Sequence, residues 1–167
     1  MNPQALRRLL SRVFHDALTA SNLDNLAQHY CSETISDGLV DLLALGKAAP
    51  KLATGALRAL GPRCSRALLV TGKSTSLEGL PPTLETMRAA HPYPDDSSLS
   101  AAERCLAFVA TSQAQRLLVL LSGGTSSMLC APPNGLSLSQ KSHLVSELLK
   151  SGASIQEVNT IRRHLSR

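Results

Sequence analysis

The sequence predicts an α/β fold, with a mostly parallel sheet that carries helices on both faces. Short apolar runs alternate along the chain with segments of helical periodicity, as in parallel strands joined by helical crossovers. Two of the runs, residues 67–71 and 117–121, are nearly unbroken, as expected of strands that are buried on both faces. The 167 residues, 43% of them hydrophobic, suffice for one domain with its own core.

The predicted strands and helices follow one another in a regular order. Strands are expected at residues 39–45, 67–71, 85–90 and 117–121. Helices are expected at residues 6–18 and 46–60, from near Ser100 to about Ala110, from Ser137 to Ser151, and from Ser154 onward. A loop over residues 72–82 separates the second and third strands.

Three of the helix starts are predicted from capping boxes, in which Ser or Thr is followed three residues later by Glu or Gln. The pattern occurs at Ser100–Glu103, Ser137–Gln140 and Ser154–Glu157. The helix after the first strand instead has Pro50 in its first turn, where N–H groups lack intrahelical partners. Gly61 marks the end of that helix.

The first helix has two interpretations. Its apolar residues recur with the i, i+3, i+4 spacing of an ordinary amphipathic helix over residues 6–18. The same segment is rich in arginine and has no acidic residue before Asp16, which is also typical of a mitochondrial transit peptide. We favour the surface helix, because such composition is common in surface helices. A cytoplasmic location is therefore expected, with mitochondria as the less favoured alternative.

Composition and charge argue against several classes of function. The net charge is +5, but the basic residues are scattered and the chain has only two Phe and two Tyr, so a nucleic-acid partner is not expected. The four cysteines form no C-x-x-C pair, which argues against a zinc site and favours free thiols in a reducing compartment. No apolar run approaches the ~20 residues of a membrane span, so no membrane partner is expected.

The segment 122–127, Ser-Gly-Gly-Thr-Ser-Ser, follows the most apolar predicted strand. In parallel sheets ligands bind at the carboxyl ends of the strands, where this segment begins. Gly123 and Gly124 allow a tight turn and a close approach of the backbone to a ligand, and a helix starting here would favour an anion. The alternative is a plain strand-to-helix turn, because turns also favour Gly and Ser.

Lys47 follows Gly46 at the end of another predicted strand. A lysine at a helix start opposes the helix dipole, and a bound anion would explain its presence. A lysine whose stem packs while its ammonium reaches water explains it equally well, so both interpretations stay open.

Two further segments carry side chains suited to a small ligand. Prolines stiffen the loop from His91 to Asp95, which suits a precisely held side chain, although a rigid connector capped by Asp95 or Asp96 is an equal alternative. Asn159 and Arg162 are three residues apart on the last helix and could present an amide and a guanidinium to a carboxylate or phosphate. The alternative for this pair is a solvated helix surface.

Four motifs occur together in a familiar order: LGKAAPKLA, AAHPYPDDSSLSAA, LLSGGTSSMLCAPPNGLSLSQK and LLKSGASIQEVNTIRRHLS. Together they resemble the N-terminal domain of the class II glycerate kinases, the family with a MOFRL domain at its C-terminal end. The resemblance covers nearly the whole chain and implies a Rossmann-like domain. It also implies ATP-dependent phosphorylation of D-glycerate, mostly at the 2-hydroxyl, with ATP and Mg²⁺ required.

The resemblance implies roles for individual residues. Lys47 matches the lysine of the family's Gly-Lys-Ala motif and is implied, with Arg162, to act in catalysis. The family's phosphate-contacting loop matches Ser122, Gly123, Gly124 and Ser126. His91, Asp95 and Asn159 are implied to bind the substrate. No residue is assigned to a metal, because the family's acidic metal-binding motifs lie outside the resemblance.

The sequence departs from the family pattern at three places. Ala90 replaces a usual Gly, and Thr125 stands where Gly or Ala is common, although a β-branched residue would resist positive φ. The sequence also ends at Arg167, where the family continues with a lysine and a glycine pair. Residues 1–167 are therefore expected to be a truncated N-terminal domain without the MOFRL domain.

Other interpretations stay open at this point. Members of the family have also been named hydroxypyruvate reductases, but the sequence has no G-x-G-x-x-G fingerprint for a nicotinamide cofactor. The other alternative is an inactive fragment that only binds an anion. A homodimer is a further possibility for the assembly of the chain. The chain alone is expected to lack kinase activity and to leave an apolar face of its last helix uncovered, with Val158, Ile161 and Leu165 on that face.

Overall fold

In the computed structural model, which describes residues 2–167, four strands form one sheet. The strands are β1 (Val40–Leu45), β2 (Cys64–Gly72), β3 (Glu85–Ala89) and β4 (Arg116–Leu121). They lie in the order β3–β2–β1–β4, and every neighbouring pair is parallel. All four were predicted, so the α/β class and the parallel sheet are confirmed.

Seven α-helices lie in the same described residues. They are α1 (Pro3–Ala20), α2 (Leu23–Thr34), α3 (Ala49–Leu60), α4 (Asp96–Ala110), α5 (Thr125–Met128), α6 (Leu138–Lys150) and α7 (Ile155–His164). None of them combines the length and the apolar character that crossing a membrane requires.

Side chains of β1 alternate between the two faces of the sheet, as strand geometry dictates. Leu42 and Ala44 pack against α3 and Cys31 of α2 on one face. Leu43 and Leu45 pack against α4 on the other face, around the buried ring of Phe108. The predicted helices on both faces are therefore confirmed, and the core lies on either side of β1 and β2.

Helix α4 begins four residues earlier than its predicted capping box. Asp95 is the N-cap, its carboxylate accepts the backbone N–H of Ser97, and Ser98 completes a capping box with Asp95. Ser100 lies inside the helix and donates its hydroxyl to the carbonyl of Asp96. The predicted start at Ser100 was wrong, because the aspartate just upstream already caps the first turn. The other two boxes, at Ser137–Gln140 and Ser154–Glu157, are confirmed.

Helix α2 was not predicted, because its amphipathic pattern is weak. Only Ala27 and Cys31 are buried along it, so its inward face consists of small side chains and shows little apolar periodicity. Asn22 caps the helix by accepting the backbone N–H groups of Asp24 and Asn25. An N-cap without a strong apolar stripe was the only local signal available.

The expectation that β4 is covered on both faces was wrong. Leu118 and Leu120 pack against the α3 side of the sheet. Leu117, Val119 and Leu121 point to the opposite face, where no described helix covers them, and Leu121 is 65% exposed. The reason is the strand order, which puts β4 at the edge of the described sheet and beyond the reach of α4.

The apolar face expected on the last helix is only partly open. Val158 is almost completely buried, which contradicts the expectation, whereas Ile161 is 37% exposed. Helix α1 is confirmed, and its apolar residues, including Leu10 and Phe14, are exposed.

Candidate active site

The two turns that follow β1 and β4 lie side by side at the carboxyl edge of the sheet. The two strands are neighbours, so their ends meet at the same place. The backbone N–H of Lys47 donates to the carbonyl of Gly123 (2.9 Å), and that of Ser122 donates to the carbonyl of Leu45 (2.9 Å). The segments at Gly46–Lys47 and 122–127, which the sequence suggested separately, are therefore hydrogen-bonded to each other at one site.

The hydroxyl of Ser122 fastens the two turns together. It donates to the carbonyl of Leu45 (3.0 Å) and accepts the backbone N–H of Ala48 (3.0 Å). Gly46 has a φ of +108°, and a Cβ there would lie 2.4 Å from this hydroxyl oxygen, so only glycine fits. The hydroxyl proton of Ser122 is already used, so a phosphate would have to find other donors in this loop.

Gly124 brings together residues from three predicted segments. Its φ is +95°, and a Cβ built on it would lie 2.8 Å from Cδ2 of His91 and 3.2 Å from Cγ of Lys47. Gly123, by contrast, is exposed, and a Cβ there would meet nothing within 4 Å. The side chains of Lys47 and His91 therefore both lie close to the backbone of Gly124.

Thr125 does not carry the strain that its β-branched side chain suggested. The positive φ falls on Gly124, and no described residue other than glycine has a positive φ. Thr125 begins α5, and its hydroxyl donates to the carbonyl of Ser122 (2.8 Å). Helix α5 is a single turn of four residues, so its dipole contributes little to anion binding.

Lys47 presents a free cation to this edge of the sheet. It lies in the turn just before α3 and is exposed. Within residues 2–167, no carboxylate forms an ion pair with its ammonium. Its positive charge is therefore available to a ligand in the space next to His91 and Gly124.

Asp95 has partners within the protein. One carboxylate oxygen accepts from the ammonium of Lys73 (2.6 Å), and the other accepts the backbone N–H of Ser97 (2.9 Å). The hydrogen bond from Lys73, followed by those from Ser97, lowers the pKa of Asp95 to about 2. The structure thus gives Asp95 the helix-capping role of the alternative interpretation, and its substrate-binding role stays a prediction.

Replacing Lys73 with Met is expected to raise the pKa of Asp95 from about 2 towards its ordinary value of ~3.9. Because the pKa is lowered in the folded chain, this ion pair favours folding above the ordinary pKa and is lost as the pH falls through about 2. Carboxyl-carbon NMR titration measures the change, with Lys51→Met as the control. An unchanged pKa in Lys73→Met would mean that Ser97, not Lys73, sets it.

Asn159 and Arg162 lie beside the same segment, on the side of Ser126. The guanidinium of Arg162 donates to the carbonyl of Ser126 (3.0 Å) and so joins α7 to α5. All three residues line a cleft of about 920 Å³, together with Pro92 and Tyr93 from the loop after His91. The 122–128 segment therefore connects this cleft with the group formed by Lys47, His91 and Gly124.

Lys141 is a residue of the cleft that the sequence analysis missed. It is only 5% exposed, and its ammonium donates to the hydroxyl of Ser166 (2.7 Å). A signal was present, because Lys141 lies three residues after Leu138 and four before Val145, on the apolar face of α6. A lysine in that position is unusual, since buried charges are normally paired.

The described residues contain no group of three or more His, Cys, Asp or Glu side chains arranged to hold a metal ion. The cleft and the turns offer cations, hydroxyls and backbone N–H groups. The arrangement is therefore suited to anions such as carboxylates and phosphates.

Comparison with known proteins places this chain in a family. A family model described as a domain of unknown function, DUF4147, matches residues 5–167. The chain belongs to the DUF4147 family. Its DUF4147 domain is 36% identical over 166 residues to the D-glycerate 2-kinase of Thermotoga maritima, covering 99% of this chain and 39% of that protein. The resemblance to the N-terminal domain of the glycerate 2-kinase family is thus confirmed.

Two further matches extend the comparison. A crystal structure of glycerate kinase from Thermotoga maritima matches the DUF4147 domain with a TM-score of 0.89 at 36% identity, over 98% of this chain and 39% of that chain. A putative hydroxypyruvate reductase of Agrobacterium vitis is 33% identical over 166 residues, or 99% of this chain and 37% of that protein. The chain thus spans less than two fifths of the length of these relatives.

Proposed function

We propose that residues 1–167 are the N-terminal domain of an ATP-dependent D-glycerate kinase that acts mostly on the 2-hydroxyl. The observation that carries the proposal is the meeting of Lys47, His91 and Gly124 at the carboxyl edge of the sheet, next to the cleft at Arg162. The names of the relatives, which include D-glycerate 2-kinase, support the same activity. The MOFRL domain would be supplied by further chain.

Phosphoryl transfer depends on positioning and on neutralising charge rather than on covalent chemistry. Lys47 is exposed and unpaired within the described residues, so its ammonium would stabilise the phosphoryl group in transfer. The guanidinium of Arg162 is fixed by the carbonyl of Ser126, and its other N–H groups would orient the carboxylate of D-glycerate. Asn159, one turn away on the same helix face, would add an amide donor.

The turn at Gly123 and Gly124 fits a phosphate group of ATP. It carries no side chains at two consecutive positions, and Lys47 lies beside it. ATP would supply the phosphoryl group. The turn would hold one of its phosphates through backbone N–H groups, together with the exposed hydroxyl of Ser126.

The described residues do not offer a comparable binding site for Mg²⁺. Residues 2–167 contain no group of three or more His, Cys, Asp or Glu side chains that could hold a metal ion, and Asp95 is engaged by Lys73 and Ser97. The proposed Mg²⁺ is therefore assigned to no side chain of residues 2–167.

The proposal also includes a cytoplasmic location, which the cysteines support. All four are free thiols, and Cys31, Cys105 and Cys130 are buried. Free buried thiols are typical of a reducing compartment. The homodimer stays a prediction.

The test uses purified full-length protein that contains the domain, with ATP, Mg²⁺ and D-glycerate. We expect formation of ADP that depends on D-glycerate, and no activity from residues 1–167 alone. A parallel reaction with hydroxypyruvate and NADH or NADPH tests the reductase alternative. Oxidation of the nicotinamide, or ADP formation that is independent of D-glycerate, would contradict the proposal. Turnover by residues 1–167 alone would contradict the domain assignment.

A further inference from the structure

Lys141 is a buried cation without an anionic partner in the described chain. Its side chain projects from the first turn of α6 and is 5% exposed. No carboxylate of residues 2–167 forms an ion pair with it. Burying a charge is costly unless the charge is paired, so the position calls for an explanation.

The hydrogen bonds of Lys141 leave a donor free. Its ammonium has three N–H groups, of which one donates to the hydroxyl of Ser166 (2.7 Å) and one is directed to the side chain of Cys130. The hydroxyl of Ser166 in turn donates a hydrogen bond to the carbonyl of Arg162 (2.7 Å). Lys141 and Ser166 both line the cleft, so at least one ammonium N–H can reach a ligand there.

The cleft around Lys141 is strongly positive. Four cations line it, namely Lys141, Lys150, Arg162 and Arg163, and no Asp or Glu is among the described residues that do so. Lys150 and Arg163 are exposed, and Lys150 is already paired with Glu147 (2.9 Å). The two least exposed of these cations, Lys141 and Arg162, have no such partner in residues 2–167.

We propose that Lys141 and Arg162 form a two-cation subsite that binds the carboxylate or phosphate group of a small anion in the cleft between α5, α6 and α7. The inference rests on the proposed function only for the choice of D-glycerate as one of the two probes. It adds Lys141 as a residue that contacts the bound anion.

The protonation of Lys141 is consistent with such a ligand. Burial lowers the pKa of Lys141, the neighbouring Cys130 acts in the opposite direction, and the positive charge of Arg162 lowers it further. An anion held between the two cations would offset both unfavourable effects.

A purely structural role for Lys141 makes different predictions. Its bond to Ser166 joins α6 to the end of α7, and a neutral side chain could make that bond without the cost of a buried charge. If Lys141 serves only to join the helices, its removal lowers stability and leaves anion binding unchanged. If it serves the anion, its removal lowers affinity and leaves stability unchanged or raised.

The experiment is isothermal titration of the 167-residue chain with D-glycerate and, separately, with inorganic phosphate, with glycerol as the uncharged control. The wild-type chain is expected to bind at least one of the two anions and not glycerol. Preference for D-glycerate would identify the group bound as a carboxylate, and preference for phosphate would identify it as a phosphoryl group. Failure to bind either anion, or equal binding of glycerol, overturns the inference.

The variant Lys141→Met, nearly equal in length but uncharged, is expected to weaken anion binding at least ~10-fold, the usual effect of a hydrogen bond to a charged group. Its Tm should equal or exceed that of wild type. The matched control Lys150→Met, on the same helix, is expected to keep an anion affinity within threefold of wild type. Affinity of Lys141→Met within threefold of wild type overturns the inference.

A second variant covers the case in which Lys141→Met does not fold. Lys141→Gln keeps a donor for Ser166 and is expected to fold with the same loss of affinity. Unfolding of both variants overturns the inference, because a lysine that binds a dissociable anion is not needed for folding. Kinase activity of the full-length protein is a separate measurement, so either proposal can fail without the other.

Discussion

In the full-length kinase proposed above, Lys47→Ala is expected to lower kcat/KM for D-glycerate by at least ~100-fold, the usual scale for one group that stabilises developing charge. Lys47 is exposed beside Gly124 and His91, and no carboxylate within residues 2–167 competes for its ammonium. Its removal would leave the charge of the phosphoryl group in transfer without this neutralising partner. Initial rates of ADP formation at varied D-glycerate measure the effect.

The control for this variant is Lys51→Ala. Lys51 is exposed in the first turn of α3, one turn further along the chain than Lys47, and makes no ion pair in the described structure. The Lys51→Ala variant should keep kcat/KM within threefold of wild type, because it loses one positive charge but no group of the proposed active site. Activity of Lys47→Ala within threefold of wild type would remove Lys47 from the catalytic site.

The second large decrease in kcat/KM is expected for the variant Gly124→Val. The φ of +95° disfavours any side chain, and a Cβ at this position would lie 2.8 Å from the imidazole of His91 and 3.2 Å from Lys47. The turn must therefore shift and displace both side chains. Since a misplacement of about 1 Å costs on the order of 100-fold in rate, kcat/KM should fall by about that factor.

Comparison with Gly123→Val separates the effect on the turn from the effect on a ligand. A Cβ at Gly123 meets no protein atom within 4 Å, so this variant should leave His91 and Lys47 in place and act only on the approach of a phosphate. The imidazole NMR signals of His91 are expected to move in Gly124→Val and to stay unchanged in Gly123→Val. Unchanged His91 signals and wild-type activity in Gly124→Val would show that this region is only a connecting turn.

The parts of the fold that the sequence predicted are those with strong local signals. β2 and β4 are apolar runs, and α6 and α7 begin at capping boxes whose hydrogen bonds form within four residues. Helix α2 lacked such a signal, because Ala27 and Cys31 bury little apolar surface and leave no obvious stripe. The start of α4 was missed because two capping patterns overlap, and only the structure decides between them.

The position of β4 at the edge of the sheet could not be predicted from the sequence, for a different reason. An apolar run predicts a strand but not which strands lie beside it, and strand order depends on contacts between distant segments. Leu117 and Leu118 look alike in the sequence, yet only Leu118 packs against the core.

The residues of the candidate site were predicted from the sequence, but most of their contacts were not. Lys47, His91 and Gly124 were identified because each follows a predicted strand, and parallel strands end at one edge of the sheet. The partners of Ser122 and Asp95 were not predictable, because their hydrogen bonds run to residues far away in the sequence or compete with local capping. Lys141 was missed because a single lysine in a helical pattern normally points into solvent.

The most direct test of the proposed active site is a crystal structure of the full-length protein with D-glycerate and a non-hydrolysable ATP analogue. We expect a phosphate of the nucleotide at Gly123 and Gly124, and the ammonium of Lys47 within ~3 Å of the phosphate to be transferred or of the 2-hydroxyl of D-glycerate. The carboxylate of D-glycerate is expected at the guanidinium of Arg162. Nucleotide and D-glycerate bound away from Lys47 and Arg162 would contradict the assignment of this edge of the sheet as the active site.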